Sequence, residues 1–275
     1  MAGEQVGSLS QDASQQLGLV SGTPVISAGH DTQFALVGSG AEENQAFLSS
    51  GTWEILMARS QRPALNQQAL ANGVTVELDS QKDLYNPAIQ WLSSAVVEWV
   101  AKQFYGAEKG SSELYATMIQ EAEDAGSAAG GVVFKPNLAV DESGIGQGSI
   151  EGLSIHTSRG QIVRAVFEGL SQQLAQRFSY LNQLCQLNNG PVVVVGGGTK
   201  NPLWNQLRAN ALQRPLHIVE QAEATVIGAA MYAFYGAGYY RSINESQQNM
   251  KPKLRVVSPQ TASTTNPVNQ EHSHA

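Results

Sequence analysis

Apolar and polar positions alternate along this chain with two periods, near 2 and near 3.6 residues, and the change from one to the other marks out its elements. Leu9, Ala13 and Leu17 recur at helical spacing through 10–19, and the pattern stops at Gly22-Thr23-Pro24. Val25-Ile26 then reads as a short strand, Gly29-His30-Asp31 as a turn, and 32–37 as the opening of a helix. Phe47-Leu48 and 53–57 are apolar runs on either side of a tight turn, and 74–78 alternates like an edge strand. Residues 88–100 carry Ile89, Leu92, Val96, Val97 and Val100 at three- and four-residue spacing and predict a helix. Helical spacing continues over 112–125, and 125–131 is a loop of small residues. The longest periodic segment is 161–187, where Ile162, Val166, Leu170, Leu174, Phe178 and Leu181 form one stripe and predict a central helix. Val192 to Val195 is a continuous β-branched run, as in a strand covered on both faces. Asn201-Pro202 supplies an N-cap and a first-turn proline to the next helix, and 216–219 and 224–235 read as a strand and a helix. Strands interleaved with long helices predict an α/β fold, without internal repeats or heptads.

Composition narrows the picture only a little. A chain of 275 residues can bury an ample core, and its net charge of −7 argues against a nucleic-acid or anionic-membrane surface. The single cysteine, Cys185, lies in an apolar helical pattern and reads as a small buried hydrophobe in a reduced, cytoplasmic setting. The start of the chain has neither a basic segment nor an apolar core and does not read as a signal peptide. The uncharged run 226–240 is shorter than the roughly 20 residues of a membrane span and reads as a buried helix. From Ser258 onward Thr, Asn, Pro, Gln and Ser dominate, so 259–275 is expected to be a disordered tail in which His272 and His274 are incidental.

Three turns carry candidate chemistry. Asp31, held by a turn after a strand, suits a general base that accepts a hydroxyl proton, and equally suits a cap on the helix that follows. Ser50-Gly51-Thr52 suits phosphate, because glycine lets backbone amides approach and the Thr hydroxyl donates, but an ordinary hairpin turn has the same look. Gly196-Gly197-Gly198 follows a buried strand and precedes a capped helix, a natural bed for a nucleotide and also a common steric solution at such a junction.

The motifs combine into a resemblance. Gly148-Ser-Ile-Glu-Gly152-Leu153 and, after seven more residues, Gln161-Ile-Val-Arg-Ala165-Val-Phe-Glu168 resemble the second signature of the FGGY carbohydrate kinases. Gly29-His30-Asp31, Ser50-Gly51-Thr52-Trp53 and the loop from Gly196 to Asn201 stand in the family's order, and the surrounding wording is closest to its L-fuculose-phosphorylating members. The resemblance runs from about Gly3 to about Pro259 and covers only the second half of such a kinase; no Asp-x-Gly-Thr phosphate loop of a first lobe is present.

This resemblance implies an actin/Hsp70/sugar-kinase-like (RNase-H-like) C-terminal lobe, a mixed sheet with flanking helices. It implies a remnant of the lobe boundary over 1–45 that carries the catalytic Asp31, a nucleotide-binding lobe over 46–258, and a missing N-terminal lobe. The chain is then a fragment, inactive alone, of an ATP-dependent kinase acting on the 1-hydroxyl of L-fuculose. Other ketoses, rhamnulose, xylulose or ribulose, and a non-catalytic nucleotide-binding or self-associating module are the rival readings. His30, Thr32 and Gln33 would touch the sugar. Gly51 and Thr52 would meet the γ-phosphate, Gly196, Gly197, Gly198 and Asn201 the adenosine. Asn86 and Gln90, read as one helical turn apart, would approach phosphate or ribose. Gly152 is expected to be a close-packing site and Glu168 a helix-face partner. The stretch 137–147 lacks the family's aromatic-plus-aspartate pattern, so no contact is assigned to it. No residues are assigned to a dedicated metal site, and Mg2+ is expected to arrive with ATP. The segment before about Ala46 is expected to pack on the absent lobe, leaving an apolar patch that invites homodimerisation.

Overall fold

The computed structural model describes residues 2–106, 111–138, 146–221 and 223–260. The tail expected over 259–275 lies, beyond Gln260, outside the described residues, as does 139–145 of the loop that lacks the family pattern.

Eleven strands and nine α-helices are named among the described residues. In chain order they are β1 (Gln5–Ser8), α1 (Gln11–Leu17), β2 (Pro24–Ile26), α2 (Asp31–Gly38), β3 (Phe47–Ser50), β4 (Trp53–Met57), α3 (Gln67–Ala71), β5 (Val74–Leu78), β6 (Tyr85–Leu92), α4 (Ser94–Tyr105), α5 (Ser112–Asp124), β7 (Val133–Lys135), β8 (Ser149–Glu151), α6 (Arg159–Cys185), β9 (Val192–Val195), α7 (Pro202–Leu212), β10 (Leu216–Val219), α8 (Ala224–Gly236), α9 (Ile243–Asn249) and β11 (Leu254–Val257).

A seven-stranded mixed sheet in the order β11-β10-β9-β3-β4-β6-β5 is the backbone of the molecule. β3, β4, β6 and β5 are joined antiparallel, whereas β9 lies parallel to β3 and β10 parallel to β9. The two parallel crossovers each contain a helix, α6 and α7, as parallel pairing demands. Alternation along the strands sends Leu48, Leu56, Ile89, Trp91, Val192 and Val194 to a core shared with α6 and α7. Phe47, Met57, Ala88, Val193 and Val195 face the opposite way and pack under α2 and the start of α8. This mixed sheet with helices on both faces agrees with the expected fold class.

Local chemistry explains the main helices. Ser158 and Gln161 close a capping box at the start of α6, and Leu170, Leu174 and Leu181 on its stripe are fully buried. α4, α5 and the β7–β8 hairpin gather around the N-terminal half of α6 in a second core. There Gly152, with φ +78°, leaves no room for a side chain, since a Cβ would lie 2.3 Å from the Gly131 carbonyl oxygen. Glu168 pairs with Arg164 one turn earlier, at 2.6 Å.

Two expectations need correction. Residues 88–100 are not one helix: 85–92 form β6 and the helix begins at Ser94. Buried on both faces at Pro87, Ala88, Ile89 and Trp91, β6 has the continuous apolar character that spacing alone does not separate from a helix. The segment before Ala46 also packs on this chain, not only toward a partner. α2 crosses α8 so closely that a Cβ on Gly38 or Gly228 would lie 2.0 Å from the Ala224 or Phe34 carbonyl oxygen, and Phe34 stacks on Tyr232 with centroids 4.8 Å apart. Val6, Leu17, Leu19, Val20 and Val25 of the β1–α1–β2 unit stay exposed.

Candidate functional site

Because β3 and β9 are parallel neighbours, with Ser49 opposite Val195, the turn after β3 and the loop after β9 leave the sheet at the same edge. The three glycines of that loop have different reasons to be glycine. Gly196 has φ +99°, and a Cβ there would lie 2.5 Å from the Ser50 carbonyl oxygen. A Cβ on Gly198 would lie 2.1 Å from Ser50 Oγ. Both are demanded by the hairpin behind them. Gly197 is exposed, and a Cβ there would meet nothing within 4 Å.

The loop then makes a 3-10 turn (Gly197–Lys200) into α7, where Asn201 Oδ1 accepts the Trp204 amide at 3.0 Å as N-cap. Asn201 Nδ2 has no partner among the described residues. On the hairpin, Thr52 is exposed, while its carbonyl accepts the amides of Ser93 at 3.2 Å and Ala95 at 3.3 Å. The start of α4 therefore fixes the turn from behind and leaves its hydroxyl side open. Gly51 closes the turn by donating to the Trp53 carbonyl at 3.1 Å.

Asp31 begins α2 after an extended His30 at the N-cap position. Its Oδ1 accepts the Thr32 amide at 2.6 Å and the Thr32 hydroxyl at 3.2 Å, at the positive end of the helix, and the side chain is 78% exposed. His30 lies between two carboxylates, with Nε2 3.5 Å from Asp31 Oδ1 and Nδ1 3.4 Å from Glu77 Oε2. Gln33 does not face the same space. It is buried, and its amide donates to Glu77 Oε2 at 3.1 Å and to the Leu78 carbonyl at 2.8 Å, so it fastens α2 to β5 and is withdrawn from the substrate contacts expected of it.

Asn86 and Gln90 are also separated. On a strand four residues span about 13 Å, more than twice the rise of one helical turn. Gln90 is exposed opposite Ile55, near the hairpin. Asn86 is completely buried opposite Glu77, and its amide donates to Asp79 Oδ2 at 2.8 Å, beside the Arg59–Asp79 ion pair at 2.9 Å. It braces the sheet, with its side chain enclosed rather than on the surface where a nucleotide contact was expected of it.

The same register shows how the candidates are distributed. Thr52, Gly197, Asn201 and Gln90 share the hairpin edge. Asp31, His30 and Thr32 sit beside Glu77, whose partner Asn86 lies six residues along β6 from Leu92, the partner of Trp53. That is about 20 Å of strand. No hydrogen bond or ion pair among the described residues joins the two groups.

Beneath the hairpin edge lies a polar cluster that the hydrophobic pattern did not single out. Glu54 and Arg208 form an ion pair with both side chains completely buried. Arg208 Nη2 also donates to Ser50 Oγ at 2.8 Å, and its guanidinium lies 3.6 Å over the Trp204 ring. Burial pushes the guanidinium pKa down from its ordinary value while Glu54 pulls it back up, and arginine stays charged. The available signal was a carboxylate inside an apolar strand and a cation on an apolar helix, a pair that burial tolerates only together.

Among the described residues no group of three or more His, Cys, Asp or Glu side chains comes together to hold a metal ion, and no helix is long and apolar enough to cross a membrane.

The sequence signature of the FGGY family of carbohydrate kinases, C-terminal domain, matches residues 46–237. L-fuculokinase of Haemophilus influenzae is 45% identical over 258 residues, covering 94% of this chain and 54% of that protein. L-fuculokinase of Escherichia coli strain K12 is 44% identical over 260 residues, covering 94% of this chain and 53% of that protein. The chain thus spans about half the length of the curated relatives it matches. Among solved structures, the fold is similar to xylulose kinase from Rhodospirillum rubrum, with a TM-score of 0.79 at 20% identity over 95% of this chain and 52% of that one.

Proposed function

The chain belongs to the FGGY family of carbohydrate kinases, and from that membership we propose that it is the nucleotide-binding half of an ATP-dependent kinase that phosphorylates the 1-hydroxyl of L-fuculose. Asp31 accepts the proton of the sugar hydroxyl as that oxygen bonds to the γ-phosphorus and the bond to the β-γ bridging oxygen breaks, releasing ADP. His30 and Thr32 flank the base and contact the sugar. Thr52 and the amides of its turn hold the γ-phosphate, and Gly197, Asn201 and Gln90 hold the nucleoside side. Mg2+ carried in with ATP would supply charge neutralisation at the triphosphate.

One observation carries this reading. Gly197 is the one glycine of the loop that the chain's own packing leaves unexplained, and its neighbours Gly196 and Gly198 close against Ser50 of the hairpin that bears Thr52. Open backbone beside an exposed hydroxyl at a helix N-terminus suits a polyphosphate. No hydrogen bond or ion pair among the described residues joins Asp31 to that edge, and the N-terminal lobe would bring the sugar between them. The exposed Val6, Leu17, Leu19, Val20 and Val25 are the surface on which it would sit.

The test is to produce the chain alone and together with the first half of the Haemophilus influenzae relative, and to measure sugar-dependent ADP release. The expected result is transfer to L-fuculose by the pair and weak or no turnover by the chain alone. Robust turnover by the chain alone would overturn the half-site reading, and preference for rhamnulose, xylulose or ribulose would replace the substrate. The same exposed apolar side chains favour a second reading, a non-catalytic nucleotide-binding module that self-associates. Saturable Mg-ATP binding with no transfer in the pair would select it.

A further inference from the structure

The phosphate hairpin and the glycine loop touch at the surface, but what joins them lies underneath. Glu54 is the first inward-facing residue after the hairpin turn, and Arg208 rises to it from α7, the helix that the glycine loop feeds. From the guanidinium the contacts run both ways. Toward the hairpin, Arg208 Nη2 donates to Glu54 Oε1 and to Ser50 Oγ, and the Ser50 hydroxyl donates to Glu54 Oε1 at 3.2 Å. Toward the loop, Nη1 donates to Asn205 Oδ1 at 3.4 Å, and Asn205 Nδ2 donates to the Thr199 carbonyl at 2.8 Å. Ser50 is also the residue against which Gly196 and Gly198 close.

Stability does not account for this pair. Apolar side chains of similar volume commonly hold a core as well as a buried ion pair or better. Here Glu54 Oε2 and Arg208 Nε lack hydrogen-bond partners among the described residues, so within them the pair is not fully satisfied. What apolar side chains could not do is fix the rotation of the Ser50 hydroxyl and the height of the Thr199 carbonyl. A single planar guanidinium reaches both sides at once because its donors form a rigid fork.

We propose that Glu54 and Arg208 are positioning residues that lock the hairpin Ser50–Gly51–Thr52 against the loop from Gly196 to Asn201, so that the two present one preset surface to the triphosphate. The proposal rests on reading these two turns as the nucleotide site, and it assigns the pair no contact with the ligand. The locking exists before any nucleotide binds.

The experiment is hydrogen exchange on the nucleotide-free chain, with thermal melting, for wild type, Arg208→Lys and the double variant Glu54→Leu/Arg208→Met. The double variant removes the charges together and is expected to melt close to wild type. Its amides at 51–53 and 197–201 are expected to exchange at least about tenfold faster, while those of β9 and α6 keep their protection. Arg208→Lys keeps the charge without the fork and keeps the protein folded if the double variant does not fold. It should loosen the same two segments to a lesser degree. Unchanged exchange at both segments in a folded variant would overturn the proposal, as would a uniform rise across the sheet, the mark of a merely structural pair. A parallel Mg-ATP titration of wild type separates the two readings, since failure to bind would count against the nucleotide site and leave the exchange result to decide the locking.

Discussion

Asp31 and Gly198 show how differently two site residues depend on their surroundings. Asp31 is exposed, and its Oδ1 accepts from the backbone and hydroxyl of Thr32 and lies 3.5 Å from His30 Nε2. If the proposed two-lobed kinase is reconstituted, Asp31→Asn should lower phosphoryl transfer by about 10²–10⁴-fold with Mg-ATP affinity unchanged, read by steady-state kinetics and calorimetry. Gly198→Ala should act on the fold instead, because its Cβ would enter the Ser50 hydroxyl. A loss of about 1–3 kcal/mol in denaturant melts is expected. Cys185 gives a pH prediction. Burial pushes its thiol from 9.0 up to about 12, so the folded state keeps the proton longer than the unfolded chain. The contribution of the neutral thiol to stability is therefore complete below pH 9.0 and is lost as the pH rises toward about 12. Modification by a thiol reagent at pH 8 should proceed only as fast as the protein opens, and fast labelling of the folded chain would contradict this. At this scale the turns that hold Asp31, Thr52 and the glycines were legible, because the strands and helices on either side of them form where the local pattern puts them. Gln33, Glu54 and Arg208 were not, since their partners lie 44 to 158 residues away in sequence.

Among elements, two Asn-Pro pairs separate what pattern reading can and cannot do. Asn201-Pro202 caps a helix as expected, with the side chain on the Trp204 amide. Asn86-Pro87 has the same look and sits inside a strand, because β4 and β5 pair with it on either side and both faces are covered. Tertiary pairing decided that segment, and with it the fate of Asn86. The close crossing of α2 and α8 was likewise invisible in the sequence, where Gly38 and Gly228 are two glycines far apart. Gly228→Ala should drive the helices apart at the Phe34 carbonyl and cost about 1–3 kcal/mol, lowering the melting temperature by several degrees. Since α2 carries Asp31, the same variant should reduce transfer in the proposed reconstituted kinase more than it reduces Mg-ATP binding. An unchanged melting temperature would show that the crossing is not as tight as described.

The described residues build a mixed sheet with the hairpin and the glycine loop at one edge and, on the β1–α1–β2 unit, exposed apolar side chains. Interleaved strands and helices foretold this architecture, because the long buried stripe of α6 and the β-branched run of β9 admit few other arrangements. The distance between Asp31 and the hairpin edge was not foretold, because motif order along a chain carries no information about strand register. The central claim is that the hairpin edge binds nucleotide, and calorimetric titration of the chain with Mg-ATP, for wild type and Gly197→Val, tests it most directly. Gly197 faces open space, so the valine variant should fold as wild type does, with an unchanged melting temperature. The account predicts a single saturable site in wild type, weakened at least about tenfold by the variant because a side chain keeps the nucleoside from the open backbone of the loop. Absence of binding in wild type, or binding that Gly197→Val leaves unchanged, would contradict it.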